Sequence, residues 1–147
     1  MRYDSPEHHL GPGFPKELPE EAAATHIGMF LAWVIVNGVE GQDLKEYSSD
    51  LLGKVRKREM TGRDFFLEVC DMRLWTSDMN DQANQFAERY YLTGAYFKDY
   101  EKTLAKGLKS IYHVEDTWKN FDMLAPVLSE RFEKREEPPR RPWWRFW

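Results

Sequence analysis

The chain has 147 residues, 41% of them hydrophobic and 15% aromatic. That supports one domain with a sizeable core and argues against a chain that is disordered throughout. Its single cysteine, Cys70, excludes an intrachain disulfide and any multi-cysteine zinc site. The net charge of -4 is uneven: residues 1–133 hold 16 basic and 23 acidic side chains, and residues 134–147 hold five and two. A body at -7 repels phosphate backbones, so no direct nucleic-acid binding is expected; a basic protein partner suits it better.

Residues 1–19 carry Pro6, Gly11, Pro12, Gly13, Pro15 and Pro19 and read as an extended arm. Tyr3, Leu10, Phe14 and Leu18 are its apolar residues, placed to lie along the domain surface. The start, Met1-Arg2-Tyr3-Asp4-Ser5-Pro6, lacks the apolar stretch of a signal peptide. Pro19, Glu20 and Glu21 suit a helix start, and Asn37-Gly38 a stop. Between them Ala22 to Val39 holds no Lys, Arg, Asp or Glu, but its continuous apolar run, Met29–Val36, is only eight residues. A membrane span needs about 20. A central buried helix in a cytoplasmic protein is therefore expected, with Gly28 and Ala32 letting a neighbour approach closely.

A second helix fits Asp43–Arg58, with Leu44, Tyr47, Leu51, Leu52 and Val55 at helical spacing. Thr61 opens a third, whose buried side is Phe65, Phe66, Val69, Cys70 and Met72. Ser77 caps a fourth with the stripe Met79, Ala83, Phe86, Ala87 and Tyr90. A fifth covers about Tyr96–Lys106. The last runs from about Val114 to Glu133, where Val114, Trp118, Phe121, Ala125, Leu128 and Phe132 form one face. Pro126 inside it predicts a kink or two abutting helices. No segment alternates with period two, and no hairpin dipeptide appears. The class is all-α: a single compact domain of five to seven helices (residues 20–135) around a central apolar helix, with an extended arm (1–19) and a Pro/Arg/Trp-rich tail (136–147).

Three stretches carry a resemblance. They are Phe14-Pro15 through Leu18-Pro19 to Ala22-Ala23-Ala24-Thr25-His26-Ile27-Gly28-Met29-Phe30-Leu31-Ala32-Trp33, then Thr61-Gly62-Arg63-Asp64-Phe65, then Tyr112-His113-Val114-Glu115-Asp116-Thr117-Trp118 with Leu124-Ala125-Pro126. Over about residues 3–133 the chain resembles a family of small bacterial proteins that share a domain of unknown function. Members of that family place a Trp before the His of the arm, where this chain has Glu7-His8-His9. The resemblance brings no activity with it. Single-domain bacterial proteins of this kind often serve as toxin-immunity proteins, which is association rather than chemistry.

His113, Glu115 and Asp116 form the strongest chemical constellation, able in principle to hold a divalent ion or run acid–base chemistry. Their spacing is wrong for one helical face, and the plainer reading is a helix start with His113 near the cap. His26 reads as a hydrogen-bonded core histidine; the alternative is convergence with His113, Glu115 and Asp116 in one polar site. No metal-ligand spacing is present, so no metal, cofactor or catalytic residue is expected. Cys70, flanked by acids, reads as a buried thiol, and Lys54–Arg58 as a complement to a helix C-terminus.

Trp143, Trp144, Arg145, Phe146 and Trp147 have no helical face to join. Exposed aromatics with Arg mark interaction sites. The tail folds back on its own domain, docks on a partner or a second copy as in a homodimer, or, least favoured, touches a membrane surface. The leading expectation is a binding protein: an immunity protein that occludes a toxin with a basic surface, such as a nuclease. The runner-up is an enzyme using His26, His113, Glu115 and Asp116, and a third is a scaffold that recruits through its tail.

Overall fold

A computed structural model describes residues 1–134. The tail residues singled out above, Trp143, Trp144, Arg145, Phe146 and Trp147, lie outside the described residues. Seven α-helices and a two-stranded ribbon make up the described fold, in agreement with the all-α expectation.

The centre is α1 (Thr25–Val36), preceded by a 3-10 turn over Glu20–Ala24. Thr25 to Ile35 are all buried, because the helix is apolar on every side and must be covered on every side. The stretch expected as a single second helix is two, α2 (Gln42–Tyr47) and α3 (Ser49–Arg56), separated at Ser48 (φ -136°). Ser48, Ser49 and Asp50 are three poorer helix formers in a row, and the Ser48 amide closes α2 on the Leu44 carbonyl with no side-chain cap on α3. Thr61 caps α4 (Gly62–Val69), its hydroxyl accepting from the Asp64 amide. Phe65, Phe66 and Cys70 are buried as expected. Met72 is not: Asp71 and Met72 both take left-handed backbone (φ 52° and 57°), which turns Met72 outward to 51% exposure.

β1 (Arg2–Asp4) pairs antiparallel with β2 (Leu74–Trp75). This ribbon fastens the arm to the body, with Tyr3, Asp4, Ser5 and Pro6 buried. The cap of α5 (Asp81–Tyr90) is Asn80 rather than Ser77. A 3-10 turn over Thr76–Asp78 uses up the Ser77 position, and Asn80 Oδ1 accepts from the Ala83 amide. The stripe Met79, Ala83, Phe86, Ala87 and Tyr90 is buried. After α6 (Ala95–Leu104) and a 3-10 turn over Ile111–His113 comes α7 (Trp118–Glu133), capped by Thr117. It runs unbroken through Pro126 rather than splitting into two. Pro126 lies on the exposed face with Asp122, whose carbonyl can take water in place of the missing amide. Trp33 is 1% exposed and donates to Ser129 Oγ at 3.0 Å. Trp118 is only partly buried, with the Arg58 guanidinium 4.8 Å above its ring.

Candidate functional site

Where the arm meets the first turn of α1, three side chains converge. Asp4 ends β1, where pairing with β2 fixes its direction. The 3-10 turn Pro6–His8 reverses the chain, and the His9 amide closes it on the Pro6 carbonyl. His26, the second residue of α1, points at both. His9 Nε2 lies 2.9 Å from Asp4 Oδ1, His26 Nε2 lies 3.3 Å from Asp4 Oδ2, and the two Nε2 atoms are 3.2 Å apart. Tyr91 donates to Asp4 Oδ2 at 2.5 Å, and the Tyr112 hydroxyl meets His9 Nδ1 at 2.8 Å. Phe97, Tyr100 and Tyr112 stand around the His26 ring at 5.3–6.2 Å between centroids.

Asp4 and His26 are sealed from solvent, and the His9 side chain is 14% exposed. Burial pulls the Asp4 carboxyl upward, but hydrogen bonds from His26, His9 and Tyr91 outweigh it and hold it below the usual carboxylate range. Burial pushes the His26 imidazole down, against the opposing pull of Asp4. The pair is thus an ionised carboxylate beside a neutral imidazole, the forms in which both groups bind metals. Asp4, His9 and His26 each offer one ligand atom within 4.8 Å of the others.

The structure distributes the residues singled out from the sequence. His26 belongs to the centre just described. His113 sits in the turn before α7, with Nε2 on Glu17 Oε1 at 3.0 Å and Nδ1 on Ser110 Oγ at 2.8 Å. Asp116 accepts from Thr61 at 2.7 Å and pairs with Arg63 at 3.3 Å. Glu115 is exposed, and its carbonyl accepts from Asn120. Among the described residues no hydrogen bond joins His26 to His113, Glu115 or Asp116. Because Thr117 caps α7, Glu115 and Asp116 precede the helix rather than form its first turn. The partners that sequence reasoning missed are Asp4 and His9. Their spacings to His26 match no local metal signature, since the arm reaches α1 through a turn and a strand. A carboxylate and a histidine in an arm of otherwise loop composition were the one available signal.

A second feature faces solvent. A groove of about 400 Å³ is lined by Glu40, Asp43, Lys45, Met79, Asn80 and Asp81, among others. Glu40 is 2% exposed and answered by Arg56 and, more distantly, Lys45. Asp43 and Asp81 are exposed and make no ion pair among the described residues. Behind the groove, burial pushes the Asp78 carboxyl up to about 6, with the nearby Asp43 charge adding to the rise. Burial likewise raises the Cys70 thiol, with Asp78 adding to it, so this cysteine is an inert core residue.

The family model described as "Domain of unknown function (DUF7832)" matches residues 2–114. That range holds the arm, α1 to α6 and all of Asp4, His9 and His26. The chain matches no curated protein and no solved structure. Among the described residues no helix is long and apolar enough to cross a membrane.

Proposed function

The chain belongs to the family described as Domain of unknown function (DUF7832), and because that family carries no stated activity we propose from the surface that it is a binding protein that occludes a basic protein partner. In its sharper form it is an immunity protein that neutralises a bacterial toxin such as a nuclease. The observation that carries this reading is the groove whose rim presents Asp43 and Asp81 on a body at -7. Both carboxylates also occupy first turns, of α2 and α5, where they complement a helix dipole. Being exposed and without ion-pair partners among the described residues, they remain able to receive Lys or Arg from another protein. Complementary charge of this kind speeds encounter and rejects wrong partners.

The test is growth rescue. The product of the gene next to its own is tested for toxicity and, if toxic, is co-expressed with the wild-type chain and with the Asp43→Lys, Asp81→Lys double variant. Rescue by the wild type and its loss in a variant with unchanged circular dichroism support occlusion through this face. Rescue that survives the double reversal places the contact elsewhere, and failure of the wild type to rescue removes the reading.

A second reading, an acid–base or metal-dependent enzyme, is favoured by the meeting of His26 with Asp4 and His9. It has the weaker support, because two of those three side chains are sealed from solvent.

A further inference from the structure

We propose that Asp4, His9 and His26 form a binding site for one divalent transition-metal ion, with zinc the best fit. The three facing atoms, Asp4 Oδ2 and the Nε2 atoms of His9 and His26, form a triangle with edges of 3.1, 3.3 and 3.2 Å. Each edge is short enough to require something between the atoms. A neutral imidazole carries one N–H, and an ionised carboxylate carries none. If both Nε2 atoms are protonated, each donates to Asp4 and the two N–H groups oppose each other. If one is protonated, the other faces the Asp4 oxygen lone pair to lone pair. Neutral imidazoles therefore leave one edge repulsive, deep in the fold. A cation at the centre of the triangle satisfies all three edges together.

The dimensions agree with that occupant. Zinc binds histidine nitrogen and carboxylate oxygen at about 2.0–2.2 Å, which puts tetrahedral ligand atoms roughly 3.3 Å apart. The donors are of the right kind, since imidazole favours zinc and its transition-metal neighbours over magnesium or calcium. The outer contacts are also those of a metal site. Ligating histidines usually bond a second group through the far ring nitrogen, and ligating carboxylates are themselves hydrogen-bonded. Here Tyr112 meets His9 Nδ1, and Tyr91 donates to Asp4. Three protein ligands leave the fourth tetrahedral position for water or an incoming group. His9, the least covered of the three ligands, marks the side from which it is reached.

The experiment uses the full chain, stripped with a chelator and titrated calorimetrically with zinc and separately with magnesium. Cobalt(II) serves as a spectroscopic probe of tetrahedral coordination. The expected result is one zinc per chain, no magnesium heat, and an intense visible cobalt band. His9→Ala, at the most exposed ligand, should retain the fold by circular dichroism and weaken zinc by at least about 100-fold, beyond the range typical of outer-shell changes. Tyr112→Phe should weaken it about tenfold. His113→Ala, which alters a partly exposed histidine bonded to Ser110 and Glu17 instead, should leave affinity unchanged. The proposal is overturned by a chain that takes up no zinc, by binding that survives in His9→Ala, or by binding lost in His113→Ala instead.

Discussion

Gly28 of α1 and Gly62 of α4 touch backbone to backbone. A Cβ on Gly62 would overlap the Gly28 carbonyl oxygen and come within 2.7 Å of the Ala32 Cβ, and a Cβ on Gly28 would overlap the Arg63 backbone. Backbone cannot step aside as a flexible side chain can. Gly62→Ala should therefore destabilise the fold by about 2–3 kcal/mol, in the range of core overpacking. Gly53→Ala, at a helical position of α3 with open space around it, should instead stabilise by about 0.5–1 kcal/mol. Urea unfolding of the two variants checks the opposite signs.

Asp78 makes stability depend on pH in an unusual direction for a carboxylate. Its folded value near 6 lies above the ordinary 3.8, so between those values the folded state binds the extra proton. The stability it confers is fully present below about pH 4 and is lost as pH rises through 6. Two units correspond to roughly 2–3 kcal/mol. Asp78→Asn keeps an oxygen to accept from the Trp75 amide and removes the charge. The variant should match the wild type at pH 4 and exceed it at pH 7 in thermal midpoint. Equal pH profiles for the two proteins would refute the assignment.

Glu40 is a buried carboxylate that depends chiefly on Arg56, which also donates to the Ile35 carbonyl. Truncating Arg56 to Ala leaves that charge inside without its close partner and should cost about 2–3 kcal/mol. Lys45, 3.8 Å away and 45% exposed, should cost less than about 1 kcal/mol when truncated. Chemical denaturation of both variants at neutral pH separates the two.

The two helical tryptophans should differ. Trp33→Ala removes a fully enclosed side chain and orphans Ser129, and should cost about 3–5 kcal/mol. Trp118→Ala removes a partly exposed ring and its contact with Arg58, and should cost about 1–2 kcal/mol. Thermal unfolding distinguishes them; equal losses would mean that Trp118 is packed more fully than its exposure indicates.

Much of the architecture was legible because it is written locally. The charge-free composition of α1 demands complete burial, and the Gly28–Ala32 spacing anticipated the close contact with α4. Thr61 and its cap were readable from type and spacing. What failed was settled at a distance or by competition. Ser77 and Asn80 are both good caps, and the intervening 3-10 turn decides between them. Met72 carries no mark of its positive φ. The polar centre was half visible: His26 stood out on an apolar helix, but its partners come from an arm that composition describes only as loop. Asp4 and Tyr91 are hydrogen-bonded across 87 positions, a separation over which periodicity says nothing.

That separation has a kinetic side. β1 pairs with residues some seventy positions later, Tyr3 bonds to Asn84, and His9 to Tyr112. Nothing within the first nineteen residues offers the arm an alternative scaffold, so it should dock after α1, α5 and the turn before α7 are in place. Contacts that wait for distant loops to close form late in folding. Late contacts are also natural first openings, and subglobal opening exposes a segment without unfolding the rest. The amides of β1 should thus exchange with solvent ahead of those of α1, and the chain should release its first strand as a unit while the helical bundle stays assembled.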